Sequence, residues 1–331
     1  MVLAARRSVT ALANLKSYGR GGRAMLKRGM TQTGLTLRHF LLALAVVAIW
    51  GSNFVVIRIG LDHLPPLLFA AMRFSLVFLP AAFFLKKPEV AWSKLAAYGL
   101  LIGAGQFGVL FMAMKGHISP GIASLVIQTQ VFFTIGLSML ISREKLAPVQ
   151  AVSLLLAGAG LAIIVLHGGG SATPLGVSMV LIAALSWGIG NIVGRMPPGV
   201  NMLAFIVWSS LFAVPPLVAL SLLTEGLPAI EAGVRDADLA TWAALVWQSV
   251  GNSLFGYSAW AWLMTRYPTA TVAPMALLVP VFGMGTSALV LHEPLPMWKL
   301  GAAALVLAGL ALNLLWPRFR ALLARAQTQA P

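Results

Sequence analysis

Cysteine is absent from this 331-residue chain, which excludes a disulfide framework, a thiolate metal site and a cysteine nucleophile. Charge is almost as scarce: Asp, Glu, Lys and Arg together make up 9% of the residues, against about 25% in an ordinary soluble domain. So few charges cannot coat a surface that faces water. The eight acids, Asp62, Glu89, Glu144, Glu225, Glu231, Asp236, Asp238 and Glu293, all fall between apolar runs or at their ends. The five histidines, His39, His63, His117, His167 and His292, also sit near run ends. No metal-ligand spacing and no Gly-rich phosphate loop is found, so ATP hydrolysis by this chain is excluded. A membrane-embedded enzyme such as an acyltransferase would need an interfacial His, Asp or Cys, and the sequence offers little of that kind. The chain reads as a non-enzyme that needs no cofactor and no metal.

What is present is hydrophobicity, at 59% of residues. A helix needs about 20 apolar residues to cross the hydrocarbon layer, and runs of that kind recur between charged or Pro/Gly breaks. They predict an all-α integral membrane protein with ten transmembrane helices, near 39–59, 66–85, 94–114, 120–141, 149–166, 175–194, 202–223, 239–264, 269–291 and 298–316. The fifth and sixth are separated only by His167-Gly168-Gly169-Gly170-Ser171-Ala172-Thr173-Pro174, a break without charge. Residues 1–38 hold eight basic residues and no acid. They are expected to be a disordered or non-native start, with Met30 as the alternative first residue and a targeting role as the rival reading. Residues 317–331 are expected to be a second basic tail.

The net charge of +15 would suggest nucleic acid in a soluble protein, but here the basic residues sit at the chain ends and in short loops, where they orient membrane helices. With the N-terminus inside, 18 Lys and Arg residues lie on the inner side and four (Arg58, Lys115, Arg235, Lys299) on the outer. Both termini are therefore expected in the cytoplasm. The expected partners are the lipid bilayer and a small-molecule substrate, with no nucleic acid, and the chain is expected to be a monomer in a bacterial inner membrane.

The two halves repeat each other. Trp50-Gly51 recurs as Trp187-Gly188, with Asn53 and Asn191 close behind. Phe69 and Pro80 correspond to Phe205 and Pro216. Phe133, Gly136, Glu144 and Leu146 correspond to Phe282, Gly285, Glu293 and Leu295, and Ala159-Gly160-Leu161-Ala162 to Ala308-Gly309-Leu310-Ala311. Units at 39–167 and 174–316 follow, each of five helices. Five is odd, so the second unit must enter the membrane inverted. Inverted repeats mark secondary carriers whose substrate site lies near the midplane between the halves.

Several segments resemble the EamA family of the drug/metabolite transporter superfamily. They include Trp50-Gly51-Ser52-Asn53-Phe54-Val55-Val56-Ile57, Pro65-Pro66-Leu67 leading to Arg73-Phe74, and Gly105-Gln106-Phe107. Others are Gly121-Ile122-Ala123-Ser124-Leu125-Val126-Ile127-Gln128, Ser186-Trp187-Gly188-Ile189-Gly190-Asn191 and Ala273-Pro274-Met275-Ala276-Leu277-Leu278-Val279-Pro280. The likeness covers roughly 39–316, with a clipped link at Arg195-Met196-Pro197-Pro198. It implies ten helices as a 5+5 inverted repeat, alternating access, and export of small neutral amino-acid metabolites of the cysteine and O-acetylserine type. Another metabolite or a neutral drug carried on the same fold is the alternative.

Polar residues inside the runs are the candidate site. Asn53, Gln106, Gln128, Gln130, Asn191, Gln248 and Asn252 can bond an ammonium and a carboxylate without carrying net charge. Trp50, Trp187, Trp208, Tyr257 and Trp260 can wall a cavity. Helix–helix hydrogen bonding and interfacial anchoring are the competing roles. Arg73 is the one charge well inside a run. It either anchors a substrate carboxylate or is held structurally by carbonyls or by snorkelling. No acid lies mid-run, which argues against a lipophilic-cation carrier and favours facilitated export over obligatory proton exchange. Glu144 and Glu293 each precede a predicted helix and read as caps of that helix.

Overall fold

The computed structural model describes residues 35–142, 147–197, 199–267 and 269–328. Among these residues the regular structure is helical, with one isolated bridge between Ile118 and Ala172. In chain order the helices are α1 (Leu37–Gly60), α2 (Pro66–Ala82), α3 (Trp92–Met114), α4 (Pro120–Ile141), α5 (Pro148–His167) and α6 (Pro174–Val193). They continue with α7 (Met202–Thr224), the short α8 (Leu227–Asp236), α9 (239–266), α10 (Ala273–Val290) and α11 (Met297–Thr328). Starts are set locally. Thr36, Thr173, Asn201 and Asp238 accept backbone N–H groups of the first turns of α1, α6, α7 and α9, which removes orphan donors there. Proline opens α2, α4, α5 and α6, where its missing N–H costs nothing.

Eight of these helices, α1, α3 to α7, α10 and α11, are long and apolar enough to cross a bilayer. The chain is a multi-pass helical membrane protein. Of the ten predicted spans, the two outside this set are also helical. The helix α2 is apolar but only 17 residues long, ending at Ala82 instead of residue 85. The helix α9 carries Gln248, Ser249, Asn252 and Ser253 buried in its middle. One loop expectation is corrected. The acidic stretch between α7 and α9 forms α8, an amphipathic turn whose Gly233 packs on Pro65 and His63. Residues 317–328 continue the backbone of α11. The basic start, up to residue 34, and Glu144 lie outside the described residues.

The helices pair across the two halves: α5 with α11, α2 with α7, α1 with α10 and α4 with α6. A Cβ on Gly51 of α1 would lie 2.5 Å from Phe282 Cβ, and one on Gly188 of α6 would lie 2.9 Å from Phe133 Cβ. The repeated Trp-Gly and Phe positions therefore touch each other crosswise. Gly160 and Gly309 do the same between α5 and α11, against the carbonyls of Ala302 and Ser153 at 2.8 and 2.6 Å. Small residues let helix backbones approach closely where lipid supplies no hydrophobic drive.

Helical regularity fails at matching places. Leu100–Gly108 in α3 and Trp247–Gly256 in α9 are π-helical. Ile127–Thr129 in α4 and Ala273–Leu278 in α10 are 3₁₀. Pro274 accounts for the tightening in α10, because it lacks an N–H and crowds the preceding turn. The segment in α4 contains no proline.

Two glutamates tie helix ends together. Glu225, at the end of α7, accepts Leu67 N at 2.7 Å and Leu68 N at 3.1 Å, capping α2. Glu293 accepts Gly121 N at 3.1 Å and the Ser119 and Ser287 hydroxyls, and pairs with Lys299 at 2.8 Å. The expectation that Glu293 caps the helix after it is corrected: it caps α4, in the other half of the chain. The reason is tertiary, since α10 packs on α4 and brings the carboxylate to that N-terminus. Burial acts to raise the Glu293 pKa, but hydrogen bonds from Lys299, Ser119 and Ser287 outweigh it and hold the carboxyl below its ordinary range.

Candidate functional site

A cavity of about 380 Å³ opens between the two halves, within the ~300–1,000 Å³ of typical small-molecule sites. The irregular segments build much of its wall. The π-helical stretches bring in Gln106 and Phe107 from α3 and Asn252 from α9, and the 3₁₀ stretches supply Gln128, Ala273, Ala276 and Leu277. Departures of this kind free backbone carbonyls and re-aim side chains, and π-bulges often mark functional sites. Ala276 O, which accepts the Val279 N–H in the 3₁₀ turn of α10, also accepts Gln128 Nε2 at 3.2 Å.

Ten of the thirteen candidate residues line this cavity: Trp50, Asn53, Gln106, Gln128, Gln130, Trp187, Asn191, Asn252, Tyr257 and Trp260. On one side Trp50 meets Tyr257 and Trp260, with ring centroids 5.5 and 5.1 Å apart. Its indole N–H points at Asn252 O at 3.4 Å. On the other side Asn191 Nδ2 donates to Gln130 Oε1 at 2.8 Å and Thr134 Oγ1 at 3.1 Å. The amides of Asn53 and Gln106 also line the cavity. Asn53 Oδ1 and Gln106 Oε1 are buried and have no hydrogen-bond partner in the protein. Among the described residues no Asp, Glu, Lys, Arg or His lines the cavity. Neutral amides can both donate and accept, so the wall suits a small uncharged or zwitterionic solute.

Three candidates lie elsewhere. Trp208 donates to Leu85 O at 2.9 Å and packs edge-on against Phe78 and Trp92, an anchoring arrangement at the end of the bundle. Gln248 is fully buried between α9 and α1, with Nε2 3.5 Å from Asn53 O and Oε1 without a partner. Arg73 is also fully buried, so its charge does not snorkel. It adjoins a separate chamber of about 20 Å³, behind Tyr98, Phe107 and Tyr257, which line both spaces. Its guanidinium lies 3.7 Å from the Phe107 ring centroid and donates from Nη2 to Ser253 Oγ at 3.1 Å. A desolvated cation–π contact gives about 2 kcal/mol, against roughly 2.5–3.5 kcal/mol or more for an arginine at mid-membrane.

Sequence reading missed part of the wall. Tyr98 was findable as one of only four tyrosines, placed just ahead of Gly99 and Gly103. Phe54, Val131, Leu277, Leu310 and Leu314 carry no such signal, because an apolar residue facing a cavity looks like one facing lipid.

A bundle of membrane-crossing helices around a central neutral cavity defines a transporter more readily than a pore or an enzyme. Comparison with known proteins makes the class specific. The EamA-like transporter family profile matches residues 37–166 and again 174–315, and the chain belongs to that family. A probable amino-acid metabolite efflux pump of Salmonella typhimurium is 40% identical over 286 residues, 84% of this chain and 95% of its own length. The protein of the same description from Escherichia coli is 37% identical over 285 residues, again 84% and 95%. The uncharacterized transporter YoaV of Bacillus subtilis is 26% identical over 82% of this chain and 94% of its own. One crystal structure superposes with a TM-score of 0.53 at 18% identity, covering 85% of this chain and 99% of that one, a likeness of fold alone.

Proposed function

We propose that this protein is a secondary transporter that exports small neutral amino-acid metabolites, of the cysteine and O-acetylserine type, from the bacterial cytoplasm by alternating access. The observation that carries the proposal is the cavity wall. Six amides and three tryptophans come from the first half (α1, α3, α4) and the second half (α6, α9) together, and among the described residues no ionisable carboxylate, amine or imidazole joins them. A zwitterion brings its own compensating charges and needs hydrogen-bond partners rather than a counter-ion. The relatives described as amino-acid metabolite efflux pumps support the same substrate class.

The proposed architecture is ten spans in two inverted units of five, with α2 and α9 completing the set. It is supported by the crosswise pairing of repeated positions, Gly51 with Phe282 and Gly188 with Phe133. The paired irregularities of α3 with α9 and α4 with α10 also favour it. The chain is proposed to act as a monomer in the inner membrane with both ends in the cytoplasm.

Cells overexpressing the protein should release labelled cysteine and O-acetylserine faster than cells carrying an empty vector. With no carboxylate in the cavity wall, that release should persist when a protonophore collapses the proton gradient and the substrate gradient is kept. Unchanged release of both compounds would reject the substrate class. Loss of all release under the protonophore would reject facilitated export.

A further inference from the structure

Arg73 presents a charge problem that the large cavity does not solve. The guanidinium is permanently ionised and fully buried, yet no carboxylate pairs with it among the described residues. Only Nη2 has a protein partner, Ser253 Oγ at 3.1 Å; Nε and Nη1 have none. The hydroxyl of Ser209, buried and likewise without a partner, lines the same small chamber. Three unspent donors, one group of them cationic, thus border one small chamber.

The size of that space decides what it can take. At about 20 Å³ it has room for one or two water-sized bodies, far too little for an amino acid. Tyr98, Phe107 and Tyr257 line both this space and the large cavity, and Arg73 lines only the small one. A halide ion is only slightly larger than a water and supplies the missing negative charge. We propose that Arg73 and Ser209 form a binding site for a single halide-sized inorganic anion, chloride by abundance, that neutralises the arginine inside the membrane.

The test uses the full chain purified in detergent, with thermal unfolding followed in sodium chloride, bromide or gluconate at equal ionic strength. Chloride and bromide should raise the midpoint saturably over gluconate, because a ligand bound only by the folded state stabilises it. Arg73→Gln should abolish the difference. Ser209→Ala keeps the charge and removes one donor, so it should shift the half-saturating chloride concentration about fivefold to tenfold upward, and it carries the test if Arg73→Gln does not fold. Identical midpoints in chloride and gluconate would make the occupant a neutral water and overturn the proposal. So would a chloride effect that survives both substitutions, or one that saturating L-cysteine displaces, since that would reassign the guanidinium to substrate. The readout does not depend on transport, so its failure is distinct from failure of the exporter assignment.

Discussion

Asn53 and Asn191 occupy equivalent positions in the repeat but do different jobs in the wall. Asn191 is held by Gln130 and Thr134, whereas the Asn53 side-chain oxygen has no protein partner. Either change to Ala removes a polar group from a dry pocket, at about 1–3 kcal/mol or roughly 5- to 150-fold in binding. Efflux by Asn53→Ala should fall with little loss of folded protein. Asn191→Ala should also lower the unfolding midpoint, because it removes the 2.8 Å donor to Gln130 Oε1 and leaves only the longer Thr134 hydroxyl at 3.4 Å. Efflux rates together with gel-filtration yield in detergent separate the two effects, and normal efflux from both variants would move the site elsewhere. Glu293 gives a second prediction at this scale. A carboxyl held below its ordinary value of 4.5 stabilises the fold above that value and stops doing so as pH falls through the folded value. Glu293→Gln strands the buried Lys299 and should cost about 3–5 kcal/mol at neutral pH. The midpoint gap between wild type and variant should be widest at neutral pH and shrink as pH falls below the ordinary carboxyl value of 4.5, which a pH series of thermal melts would read.

At the scale of elements, close helix contact rather than hydrophobic contrast sets the architecture. The α1–α10 and α4–α6 contacts depend on glycine. A Cβ at Gly51 would meet Phe282 at 2.5 Å and the Val279 carbonyl at 2.6 Å, neither of them a flexible side-chain end. Gly51→Ala should therefore destabilise by about 1–3 kcal/mol through overpacking. Gly188, with its nearest contact at 2.9 Å, should suffer less. Gly136 and Gly285 have nothing within 4 Å, so Ala at either should be neutral or stabilising by up to about 1 kcal/mol. Thermal melts of the four variants test the ranking. Equal losses at Gly51 and Gly136 would show that helix propensity, not contact, was being measured. The same contacts explain why the wall is built from irregular helix. Where backbones are pinned by glycine on one side, π and 3₁₀ turns allow the other side to bring amides and carbonyls into the cavity.

For the whole molecule, the proposed topology puts α8 and its acids outside and the end of α11 inside. A reporter fused within 225–238 should behave as periplasmic and one fused after Arg320 as cytoplasmic. The reverse pattern would remove the inverted arrangement and with it the argument for alternating access. In this topology Glu225 and Glu293 both lie at the outer ends of the bundle. The cavity residues Trp187, Asn191, Trp260 and Leu314 lie nearer the inner ends and Ile57, Leu110 and Ile127 nearer the outer ends, so the cavity spans the middle of the bundle in this topology.

The sequence by itself determined that the chain crosses a membrane repeatedly, because apolar length and missing charge are properties of composition and need no partner. It also revealed the family, through motifs that keep their spacing along the chain, and it singled out ten side chains that line the cavity, because a polar group in an apolar run is conspicuous wherever it points. Only the tertiary structure decided which polar residues share a space. Gln106, Gln128 and Asn252 come together because irregular turns in three different helices converge, whereas Arg73 lines a smaller chamber that shares Tyr98, Phe107 and Tyr257 with the cavity. It also assigned Glu293 to α4 instead of the helix that follows it. The physical reason is the same in each case. Hydropathy records how deeply a residue can be buried, whereas its neighbours depend on packing between segments a hundred or more residues apart.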